Sequence, residues 1–123
     1  MTQFPTIRFK ATNTELDGQL QDLIAQKLEH TLTKYIGNET DLKCEVEFEK
    51  LTIKDTGRIY RVEVNFFMGG RMYRAEATEN SFEEAIAEVR DEIDKEVRRA
   101  KKKQLTLLKR GGRAFKRMMR RGR

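Results

Sequence analysis

The stretch RIYRVEVNFFMGGRMYRAEA, residues 58–77, decides the fold. Tyr60, Val62, Val64 and Phe66 alternate with Arg61, Glu63 and Asn65, the period of two that marks a half-buried strand. Met68-Gly69-Gly70 then supplies the positive-φ positions of a tight hairpin. From Arg71 the alternation resumes, with Tyr73, Ala75 and Ala77 on the inner side and Arg74 and Glu76 outside. Upstream, residues 42–51 follow the same rule. Leu42, Cys44, Val46 and Phe48 face one way, Lys43, Glu45, Glu47 and Glu49 the other, and Lys54-Asp55-Thr56-Gly57 reads as the intervening turn. Three antiparallel strands with one apolar face need a cover on that face.

Two amphipathic helices provide it. Thr14 offers an N-cap oxygen, with Glu15 and Asp17 placing negative charge in the first turn. Leu16, Leu20, Leu23, Ile24, Leu28, Leu32, Tyr35 and Ile36 form one stripe, and Gly37 ends the helix. Ser81-Phe82-Glu83-Glu84 is a capping box. Behind it, Phe82, Ala85, Ile86, Val89, Ile93, Val97 and Ala100 make the second stripe. Residues 6–11 alternate as a short leading strand. The order β-α-β-β-β-α predicts an α+β fold, a mainly antiparallel four-stranded sheet with two helices packed on one face. That is the order of a double-stranded-RNA-binding domain with an extra leading strand.

A chain of 123 residues holds one such domain, residues 1–103, plus a basic C-terminal arm, 104–123, expected to be disordered or partly helical when free. Thirteen of the 26 Lys and Arg residues fall between Arg98 and Arg123, where there is no acid, and all 20 acids precede them. Helix-dipole effects fade within a turn, so they account for Arg98 to Lys103 and not for the cations beyond. A block of like charge repels itself and suits a polyanion.

The composition also excludes. One cysteine and one histidine cannot build a zinc site or a nucleophile–base pair, so no metal, cofactor, small-molecule substrate or catalysis is expected. Cys44 alternates with core residues and His30 lies off the apolar stripe. Neither glycine pair, Gly69-Gly70 or Gly111-Gly112, has the spacing of a phosphate-cradling loop. No apolar run approaches the roughly 18–20 residues that span a bilayer. Met1-Thr2-Gln3-Phe4-Pro5 lacks the basic and apolar regions of a secretory signal, so a cytoplasmic protein is expected.

Residues 58–64, 70–77 and 81–86 together resemble the ribosome hibernation promoting factor and ribosome-associated inhibitor family in its short form. So do Lys34-Tyr35 at the end of the first helix and residues 91–99 in the second, and the resemblance spans residues 6–103. It implies a translation inhibitor that occupies the mRNA and tRNA channel of the small ribosomal subunit under stress. Its partners would be that subunit, its ribosomal RNA and the assembled ribosome, with no homo-oligomer expected. Carried onto matching positions, the RNA-facing residues are Lys27, Lys34, Arg71, Arg74, Arg90, Lys95, Arg98, Arg99 and Lys101. The charge run itself adds Lys102, Lys103, Lys109, Arg110, Arg113, Lys116, Arg117, Arg120 and Arg121. The chain departs from the family at Glu92 and Glu96, where the pattern has basic or amide residues, and in its basic arm. Alternatives are a generic RNA- or DNA-binding protein and, less favoured, a membrane-surface arm using Leu105, Leu107, Leu108, Phe115, Met118 and Met119 among the cations.

Overall fold

The structure, a computed structural model, describes residues 4–52 and 57–110. Its elements run β1 (Ile7–Thr12), α1 (Gly18–Ile36), β2 (Leu42–Lys50), β3 (Tyr60–Met68), β4 (Arg71–Glu79) and α2 (Phe82–Arg110). The sheet order is β1-β2-β3-β4. β3 pairs antiparallel with both neighbours, setting Val46 opposite Val64 and Val64 opposite Ala75. β1 pairs parallel with β2, Phe9 opposite Val46. Parallel neighbours need a crossover, and α1 supplies it.

The β3–β4 turn is made by Gly69 and Gly70 at φ 61° and 76°, the pair of positive angles a two-residue hairpin demands. The expected turn at Lys54-Asp55-Thr56 lies outside the described residues.

One core joins the helices to the inner sheet face. Ile24, Leu28, Leu32 and Ile36 of α1 meet Cys44, Val46, Phe48, Val62, Val64 and Phe66 of the strands and Ile86, Val89, Ile93 and Val97 of α2. Ala75 and Ala77 on β4, with Ala85 on α2, are small enough to let α2 lie close along β4. Phe82 fixes where α2 begins, edge-on to Phe48 at 5.4 Å and to Tyr60 at 5.0 Å. From there the helix runs back toward the β3–β4 hairpin.

The capping signals divide. Ser81 caps α2 as its sequence implies, accepting from Glu84 N–H at 3.2 Å while its hydroxyl donates to Glu84 Oε2 at 3.2 Å. Thr14 does not cap α1. The cap is Asp17, whose Oδ1 accepts from Gln19 N–H at 2.8 Å and Leu20 N–H at 3.4 Å, and no acid lies in the first turn. Asn13, at φ 59°, turns the chain out of β1, and the next residues carry it from the sheet to the helical layer before α1 can start. Leu16 is consequently 44% exposed rather than part of the stripe.

Candidate nucleic-acid interface

α2 is electrically split. Between Phe82 and Val97 it carries seven acids against Arg90 and Lys95. From Arg98 to Arg110 it carries seven bases and no acid. Among the residues whose burial is described, the last buried one is Ala100, and the helix continues from there for about 15 Å at 1.5 Å per residue. The sheet's own end at Met68 and Arg71 lies on this side, because α2 returns along β4.

Asp94 organises the junction between the helices. It accepts a 2.6 Å hydrogen bond from the Tyr35 hydroxyl, and Lys34 Nζ and Arg98 Nη1 lie 4.0 and 3.4 Å from its carboxylate. Lys34 Nζ also sits 5.2 Å from the centre of the Tyr35 ring. The Tyr35 phenol is pushed up to about 12, by burial first and then by its hydrogen bond and proximity to Asp94, with Arg98 opposing. One carboxylate thus ties the end of α1 to α2 and occupies Lys34 and Arg98. Among the described residues, Lys101, Lys102 and Lys103 form no ion pair. Beside this junction runs a shallow groove of about 390 Å³ lined by Tyr35, Arg98, Lys101, Lys102, Gln104 and Leu105.

The residues named from sequence separate into groups. Lys34, Arg98, Lys101 and Lys102 come together at the junction, with Lys103 on the same projecting turns. Lys27 lies two helical turns before Lys34 on α1. Arg71 is exposed at the hairpin, its guanidinium 5.4 Å from the Tyr73 ring centre. Arg90, Lys95 and Arg99 are each drawn to a carboxylate on their own helix, at 3.0 Å to Asp91, 3.5 Å to Glu92 and 3.6 Å to Glu96. Arg74 stands on the sheet face away from the helices, 3.0 Å from Glu63 and 3.7 Å from Glu76. Lys109 and Arg110 end α2. Arg113, Lys116, Arg117, Arg120 and Arg121 lie outside the described residues, as does the rest of the arm beyond Arg110.

The ion cluster on that open sheet face went unread in the sequence. Arg61 is at its centre, hydrogen-bonded to Glu49 at 3.0 Å, to Glu76 at 2.6 Å and to Glu63, with Glu47 at 3.7 Å. Burial alone would lower the Arg61 pKa, but Glu76 and Glu63 outweigh it and raise it. Burial alone would likewise raise Glu63, yet the Arg61 and Asn65 hydrogen bonds and the charges of Arg61 and Arg74 hold it below the usual range. Arg8 and Lys10 lie 3.9 and 4.0 Å from Glu45 and Glu47. With Arg8, Lys10, Arg61 and Arg74 already matched to carboxylates, this part of the face is a poor phosphate receptor.

The family described as sigma 54 modulation protein / S30EA ribosomal protein matches residues 7–105. Among solved structures, a ribosomal subunit interface protein from Coxiella burnetii is similar at 14% identity and TM-score 0.63, covering 77% of this chain and 96% of its own. The N-terminal domain of Protein Y from Thermus thermophilus is similar at 20% identity and TM-score 0.62, covering 77% and 98%. Among curated proteins none matches the chain by sequence.

Proposed function

The chain belongs to the sigma 54 modulation protein / S30EA ribosomal protein family, and we propose that it is a ribosome-binding translation inhibitor that acts by occupancy. It enters the mRNA and tRNA channel of the small ribosomal subunit during stress and keeps the ribosome idle. The observation that carries this reading is the cationic end of the helical layer, where Lys34, Arg98, Lys101, Lys102 and Lys103 gather and the last three have no carboxylate partner among the described residues.

Such an end binds RNA by displacing counterions from phosphates, and A-form RNA is read by shape and backbone more than by base edges. The acidic first half of α2 is repelled by the same phosphates. Attraction at one end and repulsion at the other orient the body, with the hairpin and the end of α2 toward RNA. Arg90, Lys95 and Arg99 can exchange their exposed partners for phosphates, since such pairs contribute only about 0–1 kcal/mol. Arg74, held by two carboxylates on the far face, contributes least. Binding of this kind needs no bond making, and it reverses when a competing polyanion or salt takes the cations.

Sedimentation through sucrose with purified small subunits, at about 50 and 200 mM salt, tests the reading. The full chain is expected to co-migrate with small subunits and to be displaced by prebound mRNA and tRNA. Replacing Lys101, Lys102 and Lys103 together with alanine should lower the slope of log K against log salt by about two to three, one phosphate contact per lysine. A chain that stays at the top of the gradient while binding free duplex RNA or DNA with equal affinity would overturn channel occupancy in favour of a generic nucleic-acid binder.

A further inference from the structure

We propose that the groove between the end of α1 and the projecting part of α2 holds one unstacked nucleotide, its base against Tyr35 and Leu105 and its phosphate on Arg98, Lys101 and Lys102. The proposal rests on the RNA-binding reading above and gives that surface a preference for single-stranded segments.

The groove's walls combine the two surfaces a nucleotide presents. Tyr35 and Leu105 are apolar, and Leu105 is 53% exposed on the most polar part of the chain, where a bare leucine gains nothing from water. Arg98, Lys101 and Lys102 rim the same groove, so a planar apolar ring and an anion can be bound together. The Tyr35 ring is fixed in advance by its hydroxyl bond to Asp94, which lowers the ordering cost of stacking. Because Asp94 is already shared by Tyr35, Lys34 and Arg98, its charge does not reach out to cancel Lys101 and Lys102.

Size and contrast narrow the occupant. About 390 Å³ lies at the small end of ligand sites, which run from roughly 300 to 1,000 Å³, and fits one base with its phosphate. A paired base buried in a duplex cannot enter it. A second hollow, on the open sheet face between Arg8, Lys10, Glu45 and Glu47, has carboxylates beside both cations and offers no comparable anion site. An anionic lipid is the other apolar anion to consider, but one aromatic wall and a single short hollow suit a flat ring better than an acyl chain.

The test uses the full chain and a short single-stranded RNA carrying 2-aminopurine at one position, beside the same RNA made abasic there. Binding should quench the 2-aminopurine emission, and the abasic RNA should bind about tenfold more weakly, in the range measured for loss of one stacked base. Leu105→Ala alters an exposed residue and should erase most of that preference. Tyr35→Leu should do the same, while Tyr35→Phe, which keeps the ring, should retain it. Replacing Lys101 and Lys102 with alanine should weaken both RNAs alike and leave the preference intact. Adenosine monophosphate forms a separate arm: Leu105-dependent binding of it would make a free nucleotide the groove's ligand, and no response would assign the groove to nucleotides within RNA. Equal affinity for intact and abasic RNA, unchanged by Leu105→Ala, would overturn the proposal. So would Leu105-dependent binding to anionic vesicles without any effect on RNA. If small-subunit binding that depends on Lys101 to Lys103 survives those results, only the groove is refuted. If it is lost in the unaltered chain, the ribosome reading falls with it.

Discussion

Arg61→Met removes the guanidinium that sits among Glu47, Glu49, Glu63 and Glu76. The Arg61 side chain is 16% exposed and that of Glu63 13%, so water replaces little of what is lost. Exposed ion pairs contribute about 0–1 kcal/mol each, whereas orphaning a fully buried partner costs about 3–5 kcal/mol. The cluster lies between these limits, and Arg74 still lies 3.0 Å from Glu63 after the change. A loss of about 2–3 kcal/mol at neutral pH follows. For a domain of this size that lowers the melting temperature by about 10–20 °C. The loss should depend on pH. In the parent protein Glu63 is held below its ordinary value, so its contribution is present above the unfolded pKa and declines as pH falls through the folded one. In the variant the four carboxylates repel one another with no guanidinium between them, a cost that acid weakens. Both effects narrow the gap in acid. Urea melts followed by circular dichroism at about pH 7 and about pH 3, below the unfolded value, at fixed ionic strength, measure it. A deficit below about 1 kcal/mol at neutral pH, or one that fails to narrow in acid, would refute the argument.

Ser81→Ala deletes the oxygen that receives Glu84 N–H and should cost about 1 kcal/mol, read from the same urea melts. Cys44 is fully buried and its thiol is pushed up to about 12, by burial first and then by Glu45. A thiol reagent near neutral pH should therefore label the native chain only as fast as it opens, and labelling at the free-thiol rate would contradict that burial. The raised phenol of Tyr35 means that its bond to Asp94 is intact below the unfolded value near 10 and is lost as pH rises through about 12. Ultraviolet absorbance titration should show a late tyrosine step that Tyr35→Phe removes.

Strand and helix identity were legible because each rests on local period. Residues 60–66 and 71–77 announce their pleat whatever they pair with, and Ser81 with Glu84 marks a helix start within four residues. Thr14 misled because an N-cap is chosen by where the chain turns, and Asn13 postpones the helix to Gly18. The Arg61 cluster was invisible for a different reason. Glu47, Glu49, Glu63 and Glu76 come from three strands, and only the pairing register brings them around one guanidinium. The cationic end was readable as composition, from the acid-free run. Its geometry was not, because Asp94 joins Tyr35 across 59 positions of sequence and nothing local marks it as their common partner. Leu105 read as one apolar residue in a basic run until α2 brought it into one groove with Tyr35.

β1 lies at the margin of the sheet, with β2 on one side and no strand among the described residues on the other. Such a margin is where one molecule can add its strand to another's and begin a fibre. The chain guards against this in four ways. β1 is only six residues long, Arg8 and Lys10 project from it, Pro5 stands just before it without an amide proton to offer, and Asn13 bends the backbone away just after it. A molecule adding its own strand to that margin would find a short template with two charges to displace, a proline before it and a bend after it. Each of these features weighs against strand addition along β1.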